Sequence, residues 1–155
     1  MKYGISAVDN YDKHSDHPRR HKQWERYFPQ CKWKGINFPS GYEDSEKFNK
    51  NHPNLMLKAY AYYGATKNAT KQHILHNLQP FYFPTLTPDE MKGRKVIYLL
   101  FLFPPENVVI DRLNKGIDDV GHVVGIYDIN KLLRGYRSDN AEIICDCCGR
   151  TFRTQ

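Results

Sequence analysis

KVIYLLFLF, the stretch at Lys95–Phe103, decides the fold of this chain. After its first residue the run is almost wholly apolar, which predicts a β-strand buried on both faces of a sheet. Pro104 and Pro105 end the strand. Because this longest apolar run is far shorter than the ~20 residues that span a bilayer, we expect no membrane partner.

Further strands are predicted on both sides of this central run. Leu55–Tyr63 is rich in aromatic and aliphatic residues and ends at Gly64, and Gly121–Tyr127 carries a second apolar cluster. Trp33–Pro39 alternates apolar and polar residues, which predicts a short strand. Phe81–Pro88 contains too much proline for a central strand.

Short helices are predicted between these strands. Aromatic residues recur at helical spacing through Pro18–Phe28, and Pro29 is expected to end that helix. Glu43–Asn49 and Ile129–Arg134 are the other helical segments. The elements follow no regular βαβ rhythm, so we predict an α+β fold, a single small domain with an antiparallel or mixed sheet flanked by short helices.

The predicted organisation has three parts. Residues 1–17 contain few apolar positions and are interpreted as a flexible leader. Residues 18–140 form the α+β domain, and residues 141–155 form an incomplete zinc-finger-like knuckle at its C-terminal side. The N-terminus has no apolar stretch of the kind found in signal peptides, so we expect an intracellular protein.

Charge and aromatic content favour a nucleic-acid partner. The 155 residues carry a net charge of +6, with 11 Tyr, 8 Phe and 2 Trp. Lysine and arginine bind phosphates with release of counterions, and aromatic rings stack on unpaired bases. Basic and aromatic residues are interleaved in two segments, and the predicted contact residues there are Arg19, Arg20, Lys22, Arg26, Lys32, Trp33 and Lys34.

The C-terminal cysteines predict a metal ligand pair. Cys145 and Cys148 have the C-x2-C spacing with which a tight turn brings two thiolates to one zinc ion. Gly149 permits the backbone bend after the second ligand, and Phe152 is placed to pack the hairpin. Cys147 lies between the two ligands and is able to replace one of them. The expected cofactor is therefore zinc, held by the first half of a two-cysteine, two-histidine finger.

Structural zinc needs four ligands, so two more must complete this site. The sequence given ends at Gln155, where the helix with two histidines of such a finger is due, so we expect those ligands beyond it. His73 and His76 are an alternative, because residues three apart share one side of a helical turn.

The order of the segments resembles a region ahead of the polymerase core in family B DNA polymerase proteins of Polinton or Maverick-type transposons and related virus-like elements. There a segment like "INFP…KFE" precedes an apolar strand, and a segment like "HY..I..L..LL" precedes a half or whole zinc finger. The matching blocks in this chain are Gly35–Ser40, Lys47–Phe48, Leu55–Tyr62, Val96–Phe103, Gly121–Ile126, Asn130–Arg134 and the cysteine pair.

This resemblance covers about four-fifths of the chain, and Val123 stands where the family-like pattern has tyrosine. It implies a mobile-element or viral protein that acts near DNA. Together with the cysteine spacing and the basic and aromatic segments, this predicts a non-catalytic accessory domain of a DNA-replication protein. Such a domain is expected in the nucleus or at the site of element replication, with a polymerase or another element-encoded protein as a further partner.

Three other functions remain open. A papain-like cysteine hydrolase would use Cys31 as nucleophile, His122 as base and Asp128 to orient the histidine. A metal-dependent nuclease would use His73 and His76, or the group at His14, His17 and His21, with carboxylates. A protein-docking module would use the exposed edge of the sheet. Phosphate-binding loops and serine-hydrolase motifs do not occur in the sequence.

Overall fold

The computed structural model describes residues 1–13, 21–38, 40–64, 78–116, 121–134, 142–145, 148–149 and 151–153. Within them the chain has an α+β fold with a four-stranded mixed sheet in the order β2-β1-β3-β4. The strands of this sheet are β1 (Leu55–Tyr63), β2 (Leu78–Tyr82), β3 (Lys95–Phe103) and β4 (His122–Ile126). The predicted fold class is confirmed, with the sheet of the mixed kind.

Five α-helices and two 3-10 helices are described around this sheet. The α-helices are α1 (Lys2–Asp9), α2 (Tyr42–Asn51), α3 (Pro88–Met91), α4 (Glu106–Asn114) and α5 (Ile129–Arg134). The 3-10 helices are Tyr11–Lys13 and His21–Gln30. A second, two-stranded sheet pairs β5 (Glu142–Ile144) with β6 (Thr151–Arg153). None of the described helices is both long enough and apolar enough to cross a bilayer.

The central run behaves as its composition predicts. β3 pairs in parallel with β1 and antiparallel with β4, so it has a neighbour on each edge. Ile97, Leu99 and Phe101 face one side of the sheet and Leu100 the other, and all four are buried. β2 is an edge strand, which explains how it accommodates Pro80, since an edge position can lack one ladder hydrogen bond.

Alternation along the strands divides the core between the two faces of the sheet. On the first face Leu57, Ala59 and Ala61 of β1 pack with α1 and α2, whose Ile5 and Phe48 are fully buried. On the second face β1 contributes Tyr60 and Tyr62, which pack with residues from β3, β4 and α5. The buried residues of this second cluster are Tyr60, Tyr62, Leu100, Ile126 and Ile129.

Residues 1–13 of the predicted leader are described, and they contain a helix packed on the sheet. Lys2–Asp9 is an α-helix whose Ile5 is buried against β3 and β4. Two glycines make the close approach possible. A methyl group on Gly125 would lie 2.6 Å from Val8 Cγ2 and 2.7 Å from the Gly4 oxygen. The helix is therefore held both by its apolar side chains and by close backbone contact.

Helix α2 is joined to the sheet by a buried amide. Asn49 Nδ2 donates to the carbonyl of Leu57 at 3.1 Å, and its Oδ1 accepts from the Leu57 N–H at 2.7 Å. The same nitrogen donates to the Tyr82 hydroxyl at 3.2 Å. The Asn49 side chain thus pairs with both backbone groups of Leu57 in β1 and with Tyr82 in the edge strand β2. These hydrogen bonds fix α2 on the first face.

Two local predictions are wrong. Trp33–Pro39 was expected as a strand, but Ile36 N–H donates to the Trp33 carbonyl at 3.2 Å and Gly35 has a φ of 74°. This segment therefore contains a turn, and its alternation of apolar and polar residues does not mark a strand. Pro29 was expected to end a helix, yet it lies inside a 3-10 helix, because its fixed φ suits that geometry and only one donor is lost.

Candidate functional site

A cluster of rings surrounds the ammonium group of Lys2. Its Nζ lies 4.3 Å from the centroid of the Phe38 ring, 5.6 Å from Trp33 and 5.9 Å from Phe28. Each contact is within the range of a cation–π interaction. We call Lys2, Phe28, Trp33 and Phe38 the cation–aromatic cluster. Phe38 is 45% exposed, so the cluster is open to solvent on that side.

Trp33 supports this cluster and does not present a free ring. Its indole Nε1 donates to the Phe28 carbonyl at 2.7 Å, and its ring packs on Phe48 and Phe38 with centroids 5.7 Å and 5.9 Å away. The predicted stacking residue is therefore partly buried, and Phe38 is the exposed ring beside it. The sequence gives no signal for Lys2, because only folding brings α1 against this loop.

Lys32 and Lys34 lie on a backbone segment held by the end of α2. The Asn51 amide donates to the carbonyls of both lysines, at 3.2 Å and 3.0 Å. The Lys32 N–H donates to His52 Nε2 at 2.7 Å, while His52 Nδ1 lies 2.8 Å from the Phe48 carbonyl. Both lysine side chains are exposed on this ordered segment. Two predicted phosphate contacts are thus displayed at a fixed spacing.

The other predicted cations lie on the neighbouring 3-10 helix or outside the described residues. Lys22 and Arg26 are exposed, and Arg26 Nε donates to the Gln23 carbonyl at 3.1 Å. The buried side of the same helix carries Trp24, which is 2% exposed and belongs to the core. Arg19 and Arg20 fall outside the described part of the chain.

Asp44 orders the loop that carries Phe38. Its two carboxylate oxygens accept from the backbone N–H groups of Asn37 and Gly41, each at 3.0 Å, and Lys47 Nζ lies 3.4 Å away. Burial by itself raises the pKa of this carboxyl, but the hydrogen bonds from Asn37, Gly41 and Lys47 outweigh burial and hold the pKa below its ordinary value. The carboxylate is therefore charged at neutral pH and acts as a two-point clamp.

The cysteine pair lies in a turn between β5 and β6. Gly149 N–H donates to the Cys145 carbonyl at 2.8 Å, and Gly149 has a φ of 71°, a conformation that favours glycine. Cys145 is partly buried and Cys148 is exposed. This hydrogen bond closes a turn between Cys145 and Gly149, the residue after Cys148.

This turn is docked on the second face of the large sheet. The Tyr60 hydroxyl donates to the Gly149 carbonyl at 3.1 Å, although the two residues are 89 positions apart. The ring of Phe83 fills the space that a methyl group at Gly149 would need. Phe83 also packs edge-on against Tyr60, with centroids 5.2 Å apart. The hairpin is thus anchored to the domain through its glycine.

A structural zinc site needs four ligands, and Cys145 and Cys148 are the two predicted ones that the structure describes. No group of three or more His, Cys, Asp or Glu suited to a metal occurs among the described residues. Cys147, His73 and His76, the other predicted ligands, fall outside them. The same holds for His14 and His17 of the predicted nuclease site.

The environment of Cys31 does not favour a nucleophile. Burial, with a smaller contribution from the charge of Asp9, raises the pKa of the Cys31 thiol to about 11. A hydrolase of the papain type needs the opposite shift, towards the thiolate. His122 is exposed on β4. Asp128 directly precedes α5, and its carbonyl accepts from the Leu132 N–H at 3.0 Å in the first turn of that helix.

The described contacts thus give one open cation–aromatic surface and one anchored cysteine turn, on different parts of the fold. The chain was compared with protein-family models, with curated proteins and with solved structures, and none of them matches it.

Proposed function

We propose that this chain is a non-catalytic accessory domain of a mobile-element or viral DNA-replication protein that contacts nucleic acid. The observation that carries the proposal is the cation–aromatic cluster, where the Lys2 ammonium lies 4.3 Å from the half-exposed ring of Phe38. Lys32 and Lys34 are exposed beside it on a backbone held by Asn51. Positive charge next to an accessible ring matches the two parts of a nucleotide, its phosphate and its base.

The electrostatic part of this proposal has a direct test. Binding of a fluorescent DNA oligonucleotide is measured by anisotropy between 50 and 200 mM salt, values chosen because phosphate contacts are strongly salt-dependent there. We expect affinity to fall with salt. The double variant Lys32→Glu/Lys34→Glu should bind more weakly and reduce the slope of log K against log salt by about 2.

A matched control separates a local contact from the loss of overall charge. Lys92 and Lys115 are also exposed, and Lys92→Glu/Lys115→Glu changes the net charge by the same amount. This control should bind DNA almost as wild type does. Equal weakening by the two double variants, or the absence of salt-dependent binding by wild type, contradicts the proposed function.

We further propose that zinc binds at the cysteine turn and stabilises the hairpin there. The support is the closed turn at Gly149 together with the Tyr60 hydrogen bond, which keeps the ligand pair in one orientation. Thiolates of this pair would hold the ion at the usual Zn–S distance of ~2.3 Å. Zinc would act here as a structural cross-link, because its bond energy adds to the stability of a short two-stranded sheet.

Metal analysis of the purified chain tests this second part. Cys145 and Cys148 provide two of the four ligands of a structural site, and His73 and His76 are the candidates for the other two within this sequence. If these histidines complete the site, we expect about one zinc ion per chain, and its loss in the double variant Cys145→Ser/Cys148→Ser. Cys31→Ser is the control, since Cys31 packs against the core and should leave the zinc content unchanged. Wild-type protein prepared without chelators that contains no zinc would contradict a complete metal site within these 155 residues and leave the DNA-binding proposal standing.

A further inference from the structure

Four aromatic side chains form a continuous row across one border of the sheet. Tyr42 packs edge-on against Phe81 with ring centroids 6.1 Å apart, Phe81 lies 5.9 Å from Phe103, and Phe103 stacks on Tyr63 at 5.1 Å. The two ends of the row are open to solvent, since Tyr42 is 52% and Tyr63 is 48% exposed. Phe81 and Phe103 between them are partly buried. We call these four residues the aromatic row.

The register of the strands builds this row. Tyr63 and Phe103 are partners in the parallel pair of β1 and β3, so their rings lie side by side with only 13° between the planes. Phe81 comes from β2, on the other side of β1. The Phe81 ring lies 4.7 Å from the Phe101 ring. These rings meet across β1 because the side chains of β1 on this face are the small ones of Ala59 and Ala61. The row therefore spans three strands with no bulky aliphatic residue between the rings.

Asp44 connects the backbone segments next to the two ring surfaces. Its two oxygens accept from the N–H groups of Asn37 and Gly41, and the residues that follow these two are Phe38 of the cluster and Tyr42 of the row. One carboxylate thus joins the backbone before Phe38 to the start of α2.

Charges of both signs lie near the row. On α2 the carboxylates of Asp44 and Glu46 are paired with Lys47 and Lys50, at 3.4 Å and 2.9 Å, while Glu43, next to Tyr42, is exposed. Attraction for phosphates therefore comes from the charge of +6 on the chain as a whole and from the exposed lysines at positions 32 and 34. Exposed rings on a positively charged chain are complementary to bases joined by phosphates.

We infer that the aromatic row binds unpaired bases, so that the nucleic acid recognised by this domain is single-stranded. Bases in a duplex already stack on one another, and only unpaired bases offer a face to Tyr42 or Tyr63. This inference rests on the proposed function and names the form of its substrate; an apolar protein partner at the same row is the competing outcome.

The test compares a single-stranded oligothymidine with a duplex of equal length. Wild type is expected to bind the single strand more tightly. Tyr42→Leu and Tyr63→Leu should each weaken binding of the single strand by ~10-fold, the usual effect of removing one stacking ring, and change binding of the duplex little. Tyr63→Phe retains the ring and should retain the affinity. The control is Tyr127→Leu, because Tyr127 is 43% exposed and packs on Tyr11 at 4.0 Å, away from the row.

The possible failures are distinguishable. No binding of either oligonucleotide overturns the proposed function and this inference together. Binding that depends on Lys32 and Lys34 but is unchanged in the Tyr42 and Tyr63 variants, or that favours the duplex, overturns the inference alone. Circular dichroism melting of each variant establishes that it is folded. If either leucine variant fails to fold, quenching of aromatic fluorescence by the oligonucleotide in wild type and in Tyr63→Phe decides the question, since no quenching overturns the inference.

Discussion

The two ends of the same sheet face are covered in opposite ways. At the β4 end, α1 approaches so closely that Gly4 and Gly125 leave no room for a methyl group. At the β2 end, the aromatic row leaves Tyr42 and Tyr63 about half exposed. One end of this face is thus closed by backbone contact between α1 and β4. At the other end aromatic rings stay accessible, so a ligand can approach there.

The largest effect is expected from breaking the sealed end. Gly125→Ala places a methyl group 2.6 Å from Val8 Cγ2 and 2.7 Å from the Gly4 oxygen, so α1 must move away from β4. We expect the free energy of unfolding to fall by about 3 kcal/mol. Urea denaturation followed by circular dichroism measures this loss. Gly41→Ala is the control, because nothing lies within 4 Å of its methyl group; equal destabilisation by both variants would show that α1 is not closely packed.

A smaller loss is expected from Asn49, the residue that joins α2 to β1 and β2. Asn49→Ala removes hydrogen bonds to both backbone groups of Leu57 and to the Tyr82 hydroxyl. Buried groups that lose their partners should lower the unfolding free energy by about 2–3 kcal/mol. In Asn51→Ala, where the lost bonds are exposed, we expect about 1 kcal/mol or less. A denaturation midpoint for Asn49→Ala no lower than that of Asn51→Ala would contradict this assignment.

Asp44, which holds the backbone N–H groups of Asn37 and Gly41, should make the free energy of unfolding depend on pH. The folded-state pKa of Asp44 lies below its ordinary value of 3.8, so its stabilisation is fully present above that value and is lost as the pH falls through the folded-state pKa. Asp44→Asn should cost about 1–2 kcal/mol at neutral pH. The difference in unfolding free energy between wild type and Asp44→Asn should become smaller as the pH falls.

Urea titrations at several pH values measure the gap between wild type and Asp44→Asn. Asp111→Asn is the control, because that carboxylate is 60% exposed in its pair with Lys115 and should contribute little at any pH. A gap for Asp44 that stays constant down to strongly acidic pH would show that its charge is not the stabilising feature.

The smallest effect on stability is expected from the open end itself. Tyr63→Leu trims a side chain that is 48% exposed, so the unfolding free energy should change by less than about 1 kcal/mol. Phe101→Leu, at a position only 3% exposed, should cost about 2 kcal/mol. Thermal melts of the two variants compare them directly. A larger loss for Tyr63→Leu would mean that the aromatic row is part of the core.

Much of the sheet is predictable from the sequence because its strands are long and continuously apolar. Lys95–Phe103 and Leu55–Tyr63 appear with the expected bounds, and α5 matches its predicted range. The predictions fail where a short segment folds through tertiary contact. Lys2–Asp9 is packed as a helix because Ile5 enters the core and glycine lets its backbone lie against β4. No local pattern encodes that fit.

The candidate sites divide in the same way. The sequence by itself determined the C-x2-C pair with its glycine and the lysines at positions 32 and 34, since spacing and charge are local properties. Only the tertiary structure decided that Trp33 is covered, that Lys2 reaches Phe38, and that Phe81 joins Tyr63 through Phe103. The physical reason is that exposure and ring contacts depend on strand register and helix docking, which bring together residues far apart in the chain.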